Sequence, residues 1–433
     1  MKLLLDKITN KEAVVGIIGL GYVGLPLAVE SAKSGFKTIG FDIQQSKITM
    51  LNNGENYIGD IVSEDLGKLV KEKKLSGTTD YSLIKNCDVI IICVPTPLDK
   101  YMQPDNQYIV NSTNEIAKYK KNSTLVVLES TTYPGATEEI VKPILEKDGS
   151  IIGKDFFLAF SPERIDPGNT TFKTKNTPKV VGGVTESCNL LTSTFYNAIL
   201  TGGVHTVSSP KVAEMEKLLE NIFRLVNIGL VNELALLCDR MNINIWEVIE
   251  AAKTKPYGFM PFYPGPGLGG HCIPIDPYYL TWKAKEFHFN TALIETAGNI
   301  NHKMPEYVAD KVGNILNSIN KCYSNSNIVI LGVAYKKDID DYRESPVLRI
   351  IDILKNFGST VNVVDPYVVE FKGNDGNKYK TTHLTEKLLQ NADLVIITTD
   401  HSKFDKEFIF ENSKLIYDTR NFIKIESKKV IRL

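Results

Sequence analysis

Disulfides, metal-ligand clusters, membrane spans and an excess of charge are all missing from this chain of 433 residues. Its six cysteines, at 87, 93, 188, 238, 272 and 322, form no CxxC pair and stand at no metal-ligand spacing with histidine. A disulfide framework is not expected in so large a chain, and no metal is expected. No stretch reaches about 18 uncharged apolar residues, so no membrane span is predicted. Residues 1–12 place Lys2, Asp6, Lys7, Lys11 and Glu12 around one short apolar run, without the apolar core and cleavage site of a secretory signal. The expected location is the cytoplasm. The formal net charge of −1 supplies no basic field to attract nucleic acid or anionic lipid. Neither is expected as a partner.

What is present is a repeated alternation of strand and helix. Apolar runs at 13–20, 38–41, 89–94, 124–129 and 157–160 read as strands, with a helix over 24–34 after the first. Such alternation implies a parallel sheet covered on both faces. From Pro210 to about Arg240 the apolar spacing is helical and uninterrupted, which at 1.5 Å per residue gives roughly 45 Å. That is the length of a connector between domains. Helical patterns follow at 245–253, 292–303 and 306–316, with Pro305 expected to break or kink the last two apart. Strand and helix alternate again at 327–332, 345–357, 361–364, 394–398 and 415–418. The expected fold is α/β: two Rossmann-like doubly wound domains, joined by a long central helix and a small all-helical middle domain.

The first strand ends in GLGYVG, with Gly19, Gly21, Tyr22, Val23 and Gly24 opening a helix, and Asp42 closes the next strand. The glycines permit a tight turn, close approach to a pyrophosphate and close helix–strand packing. The helix start offers free N–H groups to phosphate. Asp42 suits ribose hydroxyls and repels a 2′-phosphate, so NAD is expected rather than NADP. Thr96 and Thr131 follow two later strand ends, where ligands of open parallel sheets lie.

A second informative run, PGPGLGGHCIPID, leads through Gly269 to Cys272, with Asp276 four residues beyond. A thiolate there is a strong nucleophile if nearby positive charge lowers its pKa. Read alone, a small packed cysteine in a glycine loop is the plainer reading. His271 adjoins Cys272, but neighbours in a chain rarely present their side chains to each other. Lys217, flanked by Glu214, Glu216 and Glu220, reads by spacing alone as part of a solvated helix face. Asn221 at i+4 shares its side of the helix.

Taken together, GLGYVG, STTYPG (130–135), SPER (161–164), Lys217 with Asn221, GGHCIPID (269–276) and GVAYKKD (332–338) resemble the UDP-glucose/GDP-mannose dehydrogenase family in order and spacing. The resemblance covers nearly the whole chain. Within the family, TTYPGATEE, SPERIDPG and KPYGFMPFYPGPGLGGHCIPIDPYYL are most similar to the UDP-N-acetylglucosamine 6-dehydrogenases. UDP-glucose enzymes typically carry lysine where Ile275 stands, and a glutamate where Pro167 stands. UDP-N-acetylmannosamine, UDP-N-acetylgalactosamine and UDP-glucose stay open as substrates.

The resemblance implies a domain for NAD at 1–205, a central helical domain at 206–315 with a homodimer interface, and a UDP-sugar domain at 316–433. It implies two successive hydride removals from C6, with Cys272 holding the half-oxidised sugar first as a thiohemiacetal and then as a thioester. Lys217 would stabilise an oxyanion, with Asn221 beside it. Asp276 and Thr131 would order a water near C6, and Glu163 would serve thioester hydrolysis. Which of Lys217, Asp276 and Glu163 takes the first proton stays open. Glu163, Arg164, Lys217, Asn221, Tyr257, Phe262, Gly269, Lys336, Lys337 and Arg420 would contact the UDP-sugar. Two rival classes are a silent sugar-nucleotide-binding protein and a two-electron dehydrogenase of the hydroxyacid type.

Overall fold

The computed structural model describes every residue except 60, 167, 168, 170, 271 and 272. Cys272, its neighbour His271 and Pro167 therefore lie outside the described residues. The chain divides into two compact units, Met1–Glu220 with Tyr278–His288, and Asn221–Pro277 with Phe289–Leu433.

The first unit is built on one sheet. Its strands are β1 (Val14–Ile18), β2 (Lys37–Phe41), β3 (Leu75–Thr78), β4 (Val89–Ile92), β5 (Thr124–Leu128), β6 (Phe156–Phe160), β7 (Lys179–Gly183) and β8 (Val204–Val207). They lie in the order β3-β2-β1-β4-β5-β6-β7-β8. Every pairing is parallel except that of β6 with β7. The central strands VIII, TLVVL and FFLAF are buried at every position. Alternation is absent from them because helices cover both faces. Val15, Ile17, Val89, Ile91, Leu125 and Val127 join one apolar cluster with the helix Gly24–Lys33. Ile18, Ile90, Ile92, Val126 and Leu128 join the other, as the two-residue repeat of a strand requires.

The second unit carries a smaller sheet of β9 (Asn327–Leu331) and β10 (Thr360–Val364), a separate antiparallel hairpin of β11 (Glu370–Lys372) and β12 (Lys378–Lys380), then β13 (Leu394–Ile397), β14 (Ile416–Asp418) and β15 (Val430–Arg432). The sheet order β10-β9-β13-β14-β15 is parallel throughout. The helix Pro346–Asn356 starts where Ser345 caps it and Pro346 occupies its first turn, where a missing N–H costs nothing. Helices Ile245–Lys253 and Ala292–Ser318 form the helical part of this unit. The Trp246 indole N–H donates to the carbonyl of Leu433 at 2.8 Å, tying the chain end to these helices.

One expectation is corrected in part: the break at Pro305. Pro305 does not end a helix: Ala292–Ser318 runs through it. A proline withholds one N–H, from the carbonyl four residues back. That carbonyl belongs to Asn301 and faces Gly267, 3.4 Å from where a β-carbon on the glycine would stand. The helix Pro210–Met241 is, by length and composition, apolar enough to cross a membrane. Arg224 and Glu233 interrupt its run, which a search for uncharged stretches passes over. The same helix buries Glu214, Lys217, Asn221 and Asn232, polar groups of a protein core rather than a lipid face. Its 32 residues span roughly 48 Å.

Candidate active site

In the first unit, the β1 end makes the turn that the glycines anticipate. Gly19 has φ +90°, which disfavours any side chain. A β-carbon on Gly24 would overlap the carbonyl oxygen of Gly19, whereas one on Gly21 would meet nothing within 4 Å. Gly24 thus serves packing, and Gly21 leaves the open approach that a pyrophosphate needs. Val23 packs on the apolar cluster beneath, and Tyr22 is exposed. Asp42 is buried directly after β2. Its Oδ2 accepts the N–H of Leu20 at 2.9 Å and faces Lys47 Nζ at 3.4 Å, and its Oδ1 accepts the N–H of Gln44 at 2.9 Å. A carboxylate has about four acceptor positions, and among the described residues three are taken, which leaves one for a ribose hydroxyl. These residues fit NAD.

Two further loops frame that strand edge. The carbonyl of Thr96 accepts the hydroxyl of Tyr279 at 2.9 Å. Ser130 donates to the carbonyl of Val94 at 2.8 Å, and half-buried Thr131 follows it. Buried Glu214 gathers the end of this loop, accepting the N–H of Gly135 at 2.5 Å, the N–H of Thr137 at 2.9 Å and the Thr137 hydroxyl at 2.6 Å. Burial pushes the Glu214 carboxyl up, while those three donors pull it down.

Lys217 lies on the same helix and is only 7% exposed, so it is not on a solvated face. Neither are its neighbours free to solvate it. Arg164 Nε donates to Glu220 at 3.1 Å, its second nitrogen also pairs with Glu220, and Glu216 stands 3.4 Å away. Burial, together with a hydrogen bond to Glu220, pushes Glu216 up to about 7.

Glu163 sits in a buried polar cluster that sequence patterns did not disclose. Its Oε1 accepts the N–H groups of Arg164 and Ile165 at 2.7 and 2.8 Å. Its Oε2 lies 3.1 Å from Lys179 Nζ, and Lys179 lies 3.1 Å from Glu129 Oε1. Tyr196 donates its hydroxyl to Glu129, and Cys93 lies 3.9 Å from the other Glu129 oxygen. Glu129 and Lys179 look like the end and the start of ordinary apolar strands in the sequence. Only the pairing of the sheet brings them together.

In the second unit, buried Asn221 donates its amide to Asp276 Oδ2 at 2.5 Å. Asp276 begins the helix Asp276–Ala284. Asn232, fully buried, donates to Asn301 Oδ1 at 2.8 Å and accepts the N–H of Gly265 at 3.0 Å. That pair of bonds anchors the glycine run leading toward Cys272. A β-carbon on Gly265 would stand 2.5 Å from an Arg420 nitrogen, and one on Gly269 would stand 2.5 Å from the Tyr335 β-carbon. The N–H of Gly270 donates to the carbonyl of Arg343 at 3.1 Å. Gly265 thus lies against Arg420 and Gly269 against Tyr335, and Arg420 Nε is fixed to the carbonyl of Thr398 at 2.8 Å. Burial lowers the pKa of Arg420.

Three non-glycine residues in these loops adopt left-handed backbone, Asp338 (φ +59°), Glu344 (φ +52°) and Asn421 (φ +51°). Such strain concentrates at sites where the surroundings over-determine the loop. Lys336 is half-buried, whereas Lys337 is exposed, 3.9 Å from Asp400. Of the aromatic group, Phe262 packs edge-on to Phe223 at 5.7 Å, while Tyr257 stands exposed.

Asp365, after β10, takes the place in the second sheet that Asp42 takes in the first. It accepts the N–H groups of Val333, Ala334, Tyr367 and Val368, and His401 Nε2 lies 3.1 Å from its Oδ2. Five partners saturate it. His401 is held in turn at Nδ1, which accepts the N–H of Asp338 at 3.0 Å. Nothing in the sequence around His401 signals this role. Among the described residues no cluster of three or more His, Cys, Asp or Glu could hold a metal ion.

Three domains of one family match this chain. The NAD binding domain of the UDP-glucose/GDP-mannose dehydrogenase family matches residues 13–200, its central domain 211–303 and its UDP binding domain 329–425. A UDP-N-acetyl-D-glucosamine 6-dehydrogenase of Pseudomonas aeruginosa is 37% identical over 98% of this chain and 100% of its own. A UDP-N-acetyl-D-mannosamine dehydrogenase of Pyrococcus horikoshii is 36% identical over 95% of this chain and 96% of its own. The solved structure of the UDP-D-ManNAc dehydrogenase from that organism superposes with a TM-score of 0.88 at 35% identity, covering 97% of this chain and 98% of the other. With glycine turn, acidic strand end and glycine–cysteine run each falling inside a matched domain, the chain belongs to the UDP-glucose/GDP-mannose dehydrogenase family.

Proposed function

We propose that this protein oxidises the C6 alcohol of UDP-N-acetyl-D-glucosamine to the carboxylate, consuming two NAD per product, as a step in making surface polysaccharide precursors. The observation that carries the reading is the buried polar stretch of one helix. Lys217 is withdrawn from water, and Asn221, one turn on, is bonded to Asp276, four residues beyond Cys272 in the sequence. An ammonium in a dry setting acts strongly on charge that develops only in the transition state. NAD, when bound, takes up the hydrides.

The chain's own groups do the rest. Lys217 and Asn221 hold the oxygen on C6 as it becomes anionic. Asp276 and Thr131 order the water that receives a proton. Cys272 forms the covalent link that keeps the aldehyde from escaping, and Glu163 directs water at the resulting thioester. Residues 1–205 serve NAD, 206–315 the shared centre, and 316–433 the uridine diphosphate, through Lys336, Lys337 and Arg420. A second copy covers the exposed row Phe223, Leu230, Leu234, Leu237 and Met241, which spacing puts on one face of the long helix. The setting is the cytoplasm.

The amino sugar is read from SPERIDPG and from Ile275, where UDP-glucose enzymes carry lysine. The mannosamine epimer is the second reading, favoured by the Pyrococcus relative. The test is purified protein with NAD against UDP-GlcNAc, UDP-GalNAc, UDP-ManNAc and UDP-glucose, counting NADH per product. Two NADH with UDP-GlcNAc supports the proposal. Turnover confined to another sugar, one NADH per product, or none overturns it.

A further inference from the structure

We propose that Lys179, shared between Glu163 and Glu129, is a positioning residue that holds Glu163 as a carboxylate with one acceptor site aimed outward for the hydrolytic water. The inference rests on the reading of Glu163 as the group that serves thioester hydrolysis, and it concerns residues that the mechanism above does not use.

The geometry is specific. Lys179 opens β7 and is only 4% exposed, so its ammonium must be compensated within the protein. It lies 3.1 Å from each of two carboxylates. On Glu163, two backbone N–H groups occupy Oε1 and the lysine occupies one site of Oε2. Among the described residues, three of about four acceptor positions on this carboxylate are filled, and the fourth is on Oε2. The side chain is 13% exposed, so it keeps a limited contact with solvent. Both oxygens are thus fixed, and a water bonded to the open site has a defined direction.

Glu129 explains why the lysine does not simply quench its partner. A lysine devoted to Glu163 would make it a feeble base. Glu129, wholly buried and bonded by Tyr196, draws on the same ammonium. Besides Lys179, the titratable groups around Glu163 are Glu129 from the end of β5, Cys93 from the end of β4, Tyr196 from the helix Glu186–Ile199, and Arg164 in its own loop. The two carboxyls move apart. Burial raises Glu129. Burial opposes ionisation of Glu163 too, but Lys179 and the backbone donors bring it below the ordinary range. The lysine itself is disfavoured by burial and raised overall by Glu129 and Glu163. Because the pKa of Glu163 is depressed, its carboxylate persists below the usual glutamate range and is lost only as pH falls through that lower value.

The test is the pH profile of thioester hydrolysis in Lys179→Met/Glu129→Gln, which removes the lysine together with its structural counter-charge so that no orphaned carboxylate is left buried beside Glu163. An opposite charge at this distance lowers a carboxyl by about 1–3 units, so the acid limb is expected to rise by about 1–3 pH units. The sugar–protein adduct, followed by intact-protein mass spectrometry, is expected to accumulate at pH 6 and clear at pH 8. Lys179→Arg, which can still reach both carboxylates, is expected to restore the wild-type limb. An acid limb that superimposes on that of the wild type, whatever the overall rate, overturns the proposal, as does an arginine variant that behaves like the methionine one. The first-turnover burst of NADH is recorded alongside. It depends on the reaction and not on Lys179, so its absence from the wild type would strike the assigned reaction instead.

Discussion

Replacing Asn232 by leucine isolates two hydrogen bonds at nearly constant volume. The side chain is fully buried and joins three segments of the second unit: its own helix, the N–H of Gly265 and Oδ1 of Asn301. Asn301 keeps its bond to the carbonyl of Leu225 at 3.1 Å, so the neighbouring helix is not released outright. Each lost bond is worth about 1 kcal/mol net, and each buried group left without a partner costs about 1–3 kcal/mol. The two effects overlap, since the second includes the first, and a total of about 3 kcal/mol is expected. For a unit of this size, 1 kcal/mol corresponds to about 2–4 °C, so its melting transition should fall by roughly 6–12 °C in calorimetry. Hydrogen exchange should localise the effect, with faster exchange in a peptide spanning Gly265 and little change in peptides of β1 and β4. If the variant melts within about 1 °C of the parent and the Gly265 peptide stays protected, the glycine run is anchored by something other than this asparagine.

Two other outcomes follow from the same geometry. Gly24→Ala places a β-carbon onto the carbonyl of Gly19, so the turn must open. NAD affinity measured by calorimetry should drop by about tenfold or more, with the circular dichroism spectrum kept, as an overpacking cost of about 1–3 kcal/mol implies. Wild-type affinity in that variant would show the turn to be more compliant than drawn. Leu234→Asp puts a charge in the exposed apolar row of the long helix, and light scattering on a sizing column should shift from twice the chain mass to the chain mass. A wild-type protein that already elutes as a single chain would refute the pairing.

Much of the architecture was legible because buried parallel strands are nearly continuous apolar runs. VIII and TLVVL announce themselves, and GLGYVG with Asp42 marks one strand edge without ambiguity. The break expected at Pro305 failed because a proline withholds only one hydrogen bond, and the helix Ala292–Ser318 continues through it. At the site, Lys217, Asn221 and Asp276 were nameable through the family resemblance. Glu129, Lys179, Tyr196 and Tyr279 were not. Their roles arise from strand pairing or from helix placement that joins distant parts of the sequence, as with Tyr196 on Glu129. Asp365 and Asp42 look alike in sequence, both acids at a strand end. Only the count of donors around each tells them apart.

That count bears on how one molecule handles two nucleotides at once. The same architectural plan occurs twice, in two sheets of largely parallel strands. At the amino-terminal sheet the acid still has capacity for a sugar hydroxyl. At the carboxyl-terminal sheet His401 and four amides have already taken all of it. A dinucleotide straying into the latter would find no ribose anchor and would have to displace the chain's own bonds to make one. The duplicated plan thus yields two non-interchangeable berths, and abundance of one guest need not crowd out the other.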